Sequence, residues 1–473
     1  MTLTSIEQLK GARVTVMGLG RHKQGSGIGA AKWLLRHGAM LVITDLQSEE
    51  ELTDSKKEIL SWVDNYGVEV PEFVFGEHRT QDFQGVDLVV KNPGVPFESK
   101  YVQIAQENGV PIESDVSLFL RFCPFPVIGI TGTRGKSTST AWMGEMLRKK
   151  HPKAVIAGNI LHSPLEDLDW LLEEKEEVPI VLELSSWLLE SMQYLTTPLE
   201  VAVLTNLYTD HLDRHKTFEA YQEAKEIIFA HQTKDHYVII NHDQEICREV
   251  AKRVGGQVLW FSTGALELDG AFVREGVLTL RVEEKEISLC RADELVLGGE
   301  HNRANALVAA LGAYLAGVGV ADIVEVLKAF SGLAGRQQII REVEGVRYIN
   351  DTTATSPEGV IAALKRFSQD GPIVLIAGGN AKGFTFEEMG EWINKTCKHV
   401  VLFEGTGTAL MEEAIGKGLS IERADSMKKA VNLAKAAAKE GESVLMAPGG
   451  SSFAMFKNEF DRGDQFNDAV NSL

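Results

Sequence analysis

Three times along the chain an unbroken apolar run rich in β-branched residues gives way to glycines: "VTVMGLG" at 14–20, "VIGITGTRGK" at 127–136 and "IVLIAGGN" at 373–380. A strand without polar alternation has to be covered on both faces, which is the situation of a parallel sheet between helices. Glycine directly after such a strand takes the positive φ of a sharp turn and lets the next helix begin close to the strand end. Helical periodicity follows in the right places, as in "GAAKWLLRHGA" at 29–39 and "EGVIAALKRF" at 358–367, so strand and helix alternate. The pattern predicts three successive α/β domains rather than one repeated module. A chain of 473 residues has room for them, since single cores stop growing at roughly 250–300 residues. Pro124 and Pro126 in "RFCPFP" interrupt helical periodicity before the second run, and "FSGLAGRQQ" at 330–338 separates the helix "ADIVEVLKAF" from a new strand, "VRYIND". The expected domains are therefore 1–124, 125–333 and 334–473.

A formal charge of −19 works against sequence-independent binding to nucleic acid or to an anionic membrane, because both need a cationic face. Any phosphate ligand has to be held by a few local Lys and Arg. The stretch "MTLTSIEQLKGARVTVMGLG" lacks the basic region and apolar core of a signal peptide, and no run of about 18 apolar residues occurs, so a cytoplasmic protein is expected. Cys123, Cys247, Cys290 and Cys397 are widely spaced with no C-x-x-C, which points to free thiols rather than zinc or disulfides. The run "EEKEEV" at 173–178 reads as a solvated helix end, and nothing in the chain requires more than a monomer.

The second run carries the chemistry. Its strand delivers Gly132, Thr133, Arg134 and Gly135 as a turn whose N–H groups face a phosphate chain at a helix N-terminus; Lys136, Ser137 and Thr138 follow. Lys136 would reach the β- and γ-phosphates, and the Ser137 hydroxyl would ligate Mg²⁺. The usual pattern, G-x-x-x-x-G-K-[ST], places its first glycine where Ile130 stands. An ordinary glycine turn with an exposed lysine is the competing reading. In "VLELSSWLLE", Glu183 interrupts an apolar strand and would suit a second Mg²⁺ ligand, although taken alone it equally reads as an acid paired with a Lys or Arg. "VAVLTNLYTDHLDRH" ends a strand on Asn206, Asp210, His211 and Asp213; a lone histidine is often structural, but the C-terminal end of a strand is where doubly wound sheets place ligands. Gly18, Gly20 and Asp45, the last closing "LVITD", would by themselves suggest a dinucleotide fold and hydride chemistry, which pairs poorly with an ATP loop.

"GTRGKST", "ELSS", "NLYTDHLDRH", "GGEHNRANALVAA", "GRQQ" and "NDTTATSP" follow one another in the order and approximate spacing of the Mur ligases of peptidoglycan synthesis, which the chain resembles over essentially its whole length. "GLGRHKQGSGIGAAKWLLRHGAMLVITD", "KNPGVPFES", "GVPIESDVSLF" and "FKNEFDRG" resemble the branch that adds glutamate. The family's loop is G-T-x-G-K-[ST], counted from Gly132, so Ile130 needs no glycine. The resemblance implies a Rossmann-like UDP-binding N-terminal domain, a central P-loop ATPase-type α/β domain with a mainly parallel sheet, and a Rossmann-like C-terminal domain that binds the amino acid. It implies an ATP-dependent ligase joining D-glutamate to UDP-N-acetylmuramoyl-L-alanine through an acyl phosphate, with catalysis mostly by positioning and charge neutralisation.

Residue by residue, the resemblance makes Lys136 a phosphate contact, gives one Mg²⁺ to Ser137 and Glu183, and gives a second to His211. Lys225, in "AYQEAKEIIF", matches the lysine that the family carbamylates with CO₂; without that match it reads as an exposed helical lysine. Asn302 and Asn305 match nucleotide-binding asparagines, where an independent reading finds only a polar helix start. Arg336 and Asp351 match residues that the C-terminal domain brings to ATP on closure, Asp351 counting with Lys136, His211 and Lys225 among the catalytic positions. Thr355, Lys382, Ser452 and Phe453 are implied for glutamate, Asp45 faces the uracil with Gly18 and Gly20 in the same site, and Asn159 lies near the sugar diphosphate. Four positions depart from the family's pattern: Arg134 for asparagine, Gly335 for histidine, Thr353 for lysine, and Glu459 for an aromatic, with Phe460 adjacent. Arg134 would restore the charge missing at Thr353. The alternatives are a ligase adding L-glutamate, a folylpolyglutamate synthase, which would lack the N-terminal domain, and a nucleotide-dependent binding protein without catalysis.

Overall fold

The computed structural model describes residues 3–20, 25–159, 162–193, 195–381, 384–452 and 455–473, apart from the side chains of Leu212, Asp213 and Glu358. Lys382 and Phe453 lie outside the described residues. The chain forms two compact units, Met1–Phe330 and Ser331–Leu473, the first containing two sheets and the second one.

The first sheet has the spatial order Glu72–Phe75, Met40–Asp45, Arg13–Met17, Leu88–Lys91, Ile112–Glu113, every neighbour parallel. The strand order reverses beside Arg13–Met17, the first of the three apolar runs, which is where open α/β sheets receive ligands. The helix Ser26–Arg36 buries Ile28, Trp33, Leu34 and Leu35 against this sheet. It can approach closely because Gly27 has no side chain: a Cβ there would lie 2.4 Å from the Gly18 carbonyl oxygen. The same helix is tied to the second sheet's layer through Asp169, which accepts from Trp33 Nε1 at 2.9 Å and Arg36 Nη1 at 2.8 Å and pairs with His37 Nε2 at 2.8 Å. Burial works against the Asp169 charge, yet His37 and Arg36 hold its carboxyl down to about 2.

The second sheet runs Lys285–Arg291, Val277–Val282, Gly270–Arg274, Gln257–Ser262, Tyr237–Asn241, Val201–Leu204, Val127–Thr131, Ile180–Glu183, Val155–Gly158. It is parallel from Gly270–Arg274 onward and antiparallel only in the edge strands that precede it in that order. Val127–Thr131 is buried at every residue, as its lack of alternation requires. The helices Lys136–Lys150 and Glu300–Leu315 pack on one face, where Gly312 leaves the space that Met143 fills; a Cβ there would meet the Met143 Cε at 2.2 Å.

The third sheet, in the second unit, runs Gln338–Val343, Val346–Asn350, Ser443–Gly449, Ile373–Gly378, Cys397–Phe403, Ser420–Ala424, parallel except for the first pair. Apolar cores lie on both of its faces, one around Leu375, Leu445 and Met389, the other around Val374, Met446 and Phe466. The four cysteines are free; Cys247, Cys290 and Cys397 are buried and Cys123 half-buried, and burial pushes the Cys247 and Cys397 thiols up to about 12. Among the described residues no helix is long and apolar enough to cross a membrane.

Candidate active site

The turn at 132–135 leaves the end of strand Val127–Thr131 with Gly132 at φ +143° and Gly135 at φ +85°. Both glycines are required by space as well as by φ: a Cβ on Gly132 would sit 1.9 Å from Thr205 Oγ1, and one on Gly135 would sit 2.3 Å from Asn305 Oδ1. The segment after the neighbouring strand Val201–Leu204 holds the turn from outside. Asn206 Oδ1 accepts from the Arg134 N–H at 2.8 Å, and the Arg134 carbonyl accepts from Thr205 Oγ1 at 2.7 Å and Asn206 Nδ2 at 3.0 Å. Arg134 itself is exposed.

Two lysines converge on this turn. Lys136 Nζ donates to the Gly132 carbonyl at 2.8 Å and to that of Thr133 at 3.1 Å, and Lys225 Nζ donates to the same Gly132 oxygen at 2.9 Å. Lys225 is 1 % exposed, which overturns the reading of an exposed helical lysine. Its amine lies 4.7 Å over the Tyr221 ring, and the Tyr221 hydroxyl donates to Thr133 Oγ1 at 3.1 Å, so the helix Phe218–Glu226 presents both residues, one turn apart, to the turn. Burial, with Lys136 beside it, drives the Lys225 amine down to about 6, against the opposing pull of Asp210 and Glu183.

Glu183 ends strand Ile180–Glu183 at 2 % exposure. Its Oε1 accepts from Asn159 Nδ2 at 3.0 Å, while Oε2 is buried with no hydrogen-bond partner among the described residues. No Lys or Arg forms an ion pair with it among the described residues, so the acid is not explained as half of a salt bridge. Ser137, in the first turn of Lys136–Lys150, is 8 % exposed. His211 sits at φ +51° with a half-exposed ring, 5.8 Å from the Trp187 ring and 6.1 Å from that of Tyr221. Among the described residues no three His, Cys, Asp or Glu side chains gather closely enough to hold a metal unaided. Magnesium still fits: a hard cation with a strong hold on its waters needs only one or two protein carboxylates, and the orphaned Glu183 oxygen is such a donor. On the other side of the turn, Asn302 Nδ2 donates to the Gly298 carbonyl at 2.9 Å, and Asn305 Oδ1 accepts from Ser139 Oγ at 3.3 Å, tying the helix Glu300–Leu315 to the loop helix.

In the first sheet, Gly18 (φ +86°) and Gly20 (φ +77°) turn around Asp45, whose Oδ2 accepts from the Leu19 N–H at 2.8 Å and the Gly20 N–H at 3.2 Å. Asp45 therefore shapes the glycine turn from within. Asn159, expected near the sugar diphosphate, has its side-chain amide on Glu183.

In the second unit, Asp351 follows strand Val346–Asn350 at 3 % exposure and accepts from the Gln337 N–H at 3.1 Å. Burial raises its carboxyl to about 6 despite that bond and the nearby Arg336. Gly335 has a physical reason to be glycine: at φ +69°, a Cβ would lie 2.6 Å from Thr352 Cγ2. Ser452 is 3 % exposed and its hydroxyl has no hydrogen-bond partner among the described residues; Thr353 and Thr355 are half-buried in the loop after Asp351. Phe460 is 60 % exposed, one residue into the helix Glu459–Asn471.

Sequence reasoning missed Tyr221, Thr205 and Arg462. Tyr221 carried a signal in its i, i+4 spacing from Lys225. Arg462 carried none: it is 1 % exposed, and its guanidinium donates to the Thr352 carbonyl at 2.8 Å and the Gly450 carbonyl at 3.2 Å, fastening together two loops of the second unit.

Family models match the chain in three consecutive pieces: a Mur ligase MurD-like N-terminal domain over residues 12–114, a Mur ligase middle domain over 130–313, and a Mur ligase glutamate ligase domain over 335–450. The chain is 40 % identical to the UDP-N-acetylmuramoylalanine–D-glutamate ligase of Roseiflexus sp. (strain RS-1), over 98 % of this chain and 100 % of that protein. It is 32 % identical to the protein of the same name from Alkaliphilus metalliredigens, over 98 % and 99 %. Among solved structures, the UDP-N-acetylmuramate-alanine ligase MurC of Thermotoga maritima matches with a TM-score of 0.57 at 18 % identity, covering 98 % of this chain and 99 % of that one. The MurF ligase of the same organism matches with a TM-score of 0.52 at 20 % identity, covering 99 % and 97 %, so the fold is shared. Each of the three sheets lies under its own family model, and relatives align from end to end: the chain belongs to the Mur ligase family.

Proposed function

We propose that this protein is an ATP-dependent ligase that adds D-glutamate to UDP-N-acetylmuramoyl-L-alanine, a cytoplasmic step in making the peptidoglycan precursor. The observation that carries this reading is the convergence of Lys136, Lys225 and Tyr221 on one glycine turn, with an orphaned carboxylate at the next strand end. Full-length relatives bearing that ligase name support the choice of substrates. Residues 1–124 hold the UDP part through the turn at 18–20, residues 125–333 hold ATP, and residues 334–473 hold glutamate through Thr355, Lys382, Ser452 and Phe453.

The alanine carboxylate of the acceptor attacks the γ-phosphorus of ATP, ADP departs, and an acyl phosphate forms. The glutamate amine then attacks the acyl carbon, phosphate leaves, and the amine gives up its proton as the amide forms. Lys136 moves from the loop carbonyls to the phosphate oxygens, where it offsets the charge gathered in transfer. Asn302 and Asn305 border the loop helix where the nucleotide base would lie. Magnesium, which would be held by Ser137, Glu183, His211 and a carbamylated Lys225, supplies further charge neutralisation at the phosphates when bound. Only a neutral amine attacks CO₂, and an ordinary lysine is almost entirely protonated at pH 7. The buried Lys225 is mostly neutral there, which supports its modification. No step asks for a second chain, in keeping with a monomer.

The test is to incubate the protein with UDP-N-acetylmuramoyl-L-alanine, ATP, Mg²⁺ and either D- or L-glutamate, reading phosphate release and product mass. Turnover with D-glutamate is expected. Turnover with the L-isomer alone reassigns the amino acid, and none with either removes the ligase reading.

A further inference from the structure

We propose that Lys91 and Arg214 are positioning residues for the acceptor substrate: they lock the loop at 92–99 to the segments that carry Glu183 and His211. The inference rests on the ligase reading above. The loop leaves the C-terminal end of strand Leu88–Lys91, where a doubly wound sheet meets its ligand. Its first residue borders the glycine turn: the Asn92 N–H donates to the Met17 carbonyl at 2.8 Å, and a Cβ on Gly18 would touch Asn92 Cβ at 2.9 Å.

Lys91 is 1 % exposed, and no carboxylate among the described residues lies within ion-pair distance of it. Its ammonium instead donates to the Val95 carbonyl at 3.0 Å, within the loop, and to Ser191 Oγ at 2.9 Å, just past the helix Ser186–Glu190; it also lies 4.4 Å over the Phe97 ring. Ser191 passes the connection on by donating to the Trp187 carbonyl at 3.2 Å. An ammonium buried on neutral oxygens is costly to keep, and what it holds here is the loop: two of these three contacts, Val95 and Phe97, lie in the loop and the third, Ser191, lies outside it. Arg214, three residues beyond His211, makes the second connection. Its Nη1 donates to Glu98 in the loop at 3.1 Å, and its Nη2 donates to Glu190 at 2.6 Å. The loop at one end of the acceptor site is thus held to the helix that follows Glu183 and to the segment that contains His211. None of these side chains touches reacting atoms in the arrangement above; what they set is the shape and position of the loop that receives the acceptor.

The experiment compares steady-state constants for all three substrates in the full-length protein, Lys91→Met, Arg214→Gln, Arg214→Lys and Glu98→Gln, with thermal melts for each. Wild-type turnover, measured first, decides the ligase reading independently. Lys91→Met and Arg214→Gln are expected to raise KM for UDP-N-acetylmuramoyl-L-alanine roughly tenfold or more, leaving KM for ATP and glutamate within about twofold. Arg214→Lys, which keeps the charge without the fork, should recover part of the loss. If the buried substitutions do not fold, Glu98→Gln decides: its side chain is 74 % exposed, and it should raise the same KM alone, by roughly two- to fivefold. Parallel shifts in all three KM values, or unchanged KM in folded variants, overturn the proposal.

Discussion

At Lys225 burial, with a second cation beside it, changes how an ordinary residue titrates. Desolvation, with Lys136 next to it, lowers the folded value to about 6, against an ordinary lysine value of about 10.4. Between those limits the unfolded chain binds one more proton than the folded one, so this residue makes stability rise with pH from about 6 toward 10. Below about 6 both forms carry the proton and the cost of burying it is fully present. In CO₂-free buffer, Lys225→Met should therefore melt higher than wild type at pH 6, and the gap should shrink as pH approaches 10. A gap that does not change with pH would refute the perturbed lysine. Nothing in "AYQEAKEIIF" announces this, because a lysine among Glu and Gln on a short helix looks solvated; its burial is decided by a turn 93 positions away. Glu183 was more legible, since an acid inside an apolar strand is anomalous by itself, but its amide partner Asn159 comes from the adjoining strand end.

At the level of elements, the strand–turn–helix around Gly132 and Gly135 was readable because each glycine answers a local need. The structure adds a long-range one: Asn305, on a helix far along the chain, occupies the space beside Gly135. Gly135→Ala should lower stability by about 1–3 kcal/mol and raise KM for ATP. Gly441→Ala is the control, at φ +83° with nothing within 4 Å of the added Cβ; it should lower Tm and leave KM for ATP unchanged. Equal effects on KM for ATP in both variants would show that the close approach of Asn305 does not matter. The edge strands between 270 and 291 were overlooked because the strand–glycine runs dominate the pattern, although "VLTLRVEEKEISLCR" alternates around a polar turn in the manner of a hairpin.

For the whole molecule, the alternation of strands and helices was enough to foresee three sheets, because apolar strands covered on both faces leave few other solutions. Where contacts gather was less legible: the first two sheets belong to one compact unit, bound by side chains such as Asp169 and Asp115 that no local pattern singles out. The segment 331–473, expressed alone, should melt in a single cooperative transition, since it has a core on each face of its own sheet. A gradual, non-cooperative melt in calorimetry would count against that independence. The same self-sufficiency gives heredity a narrow place to work. On the reading proposed above, in which residues 334–473 hold the amino acid, changes in which amino acid is accepted can accumulate in that self-supporting segment without disturbing the core shared by the first two sheets, so new specificities can arise by tinkering or by exchange of a whole segment.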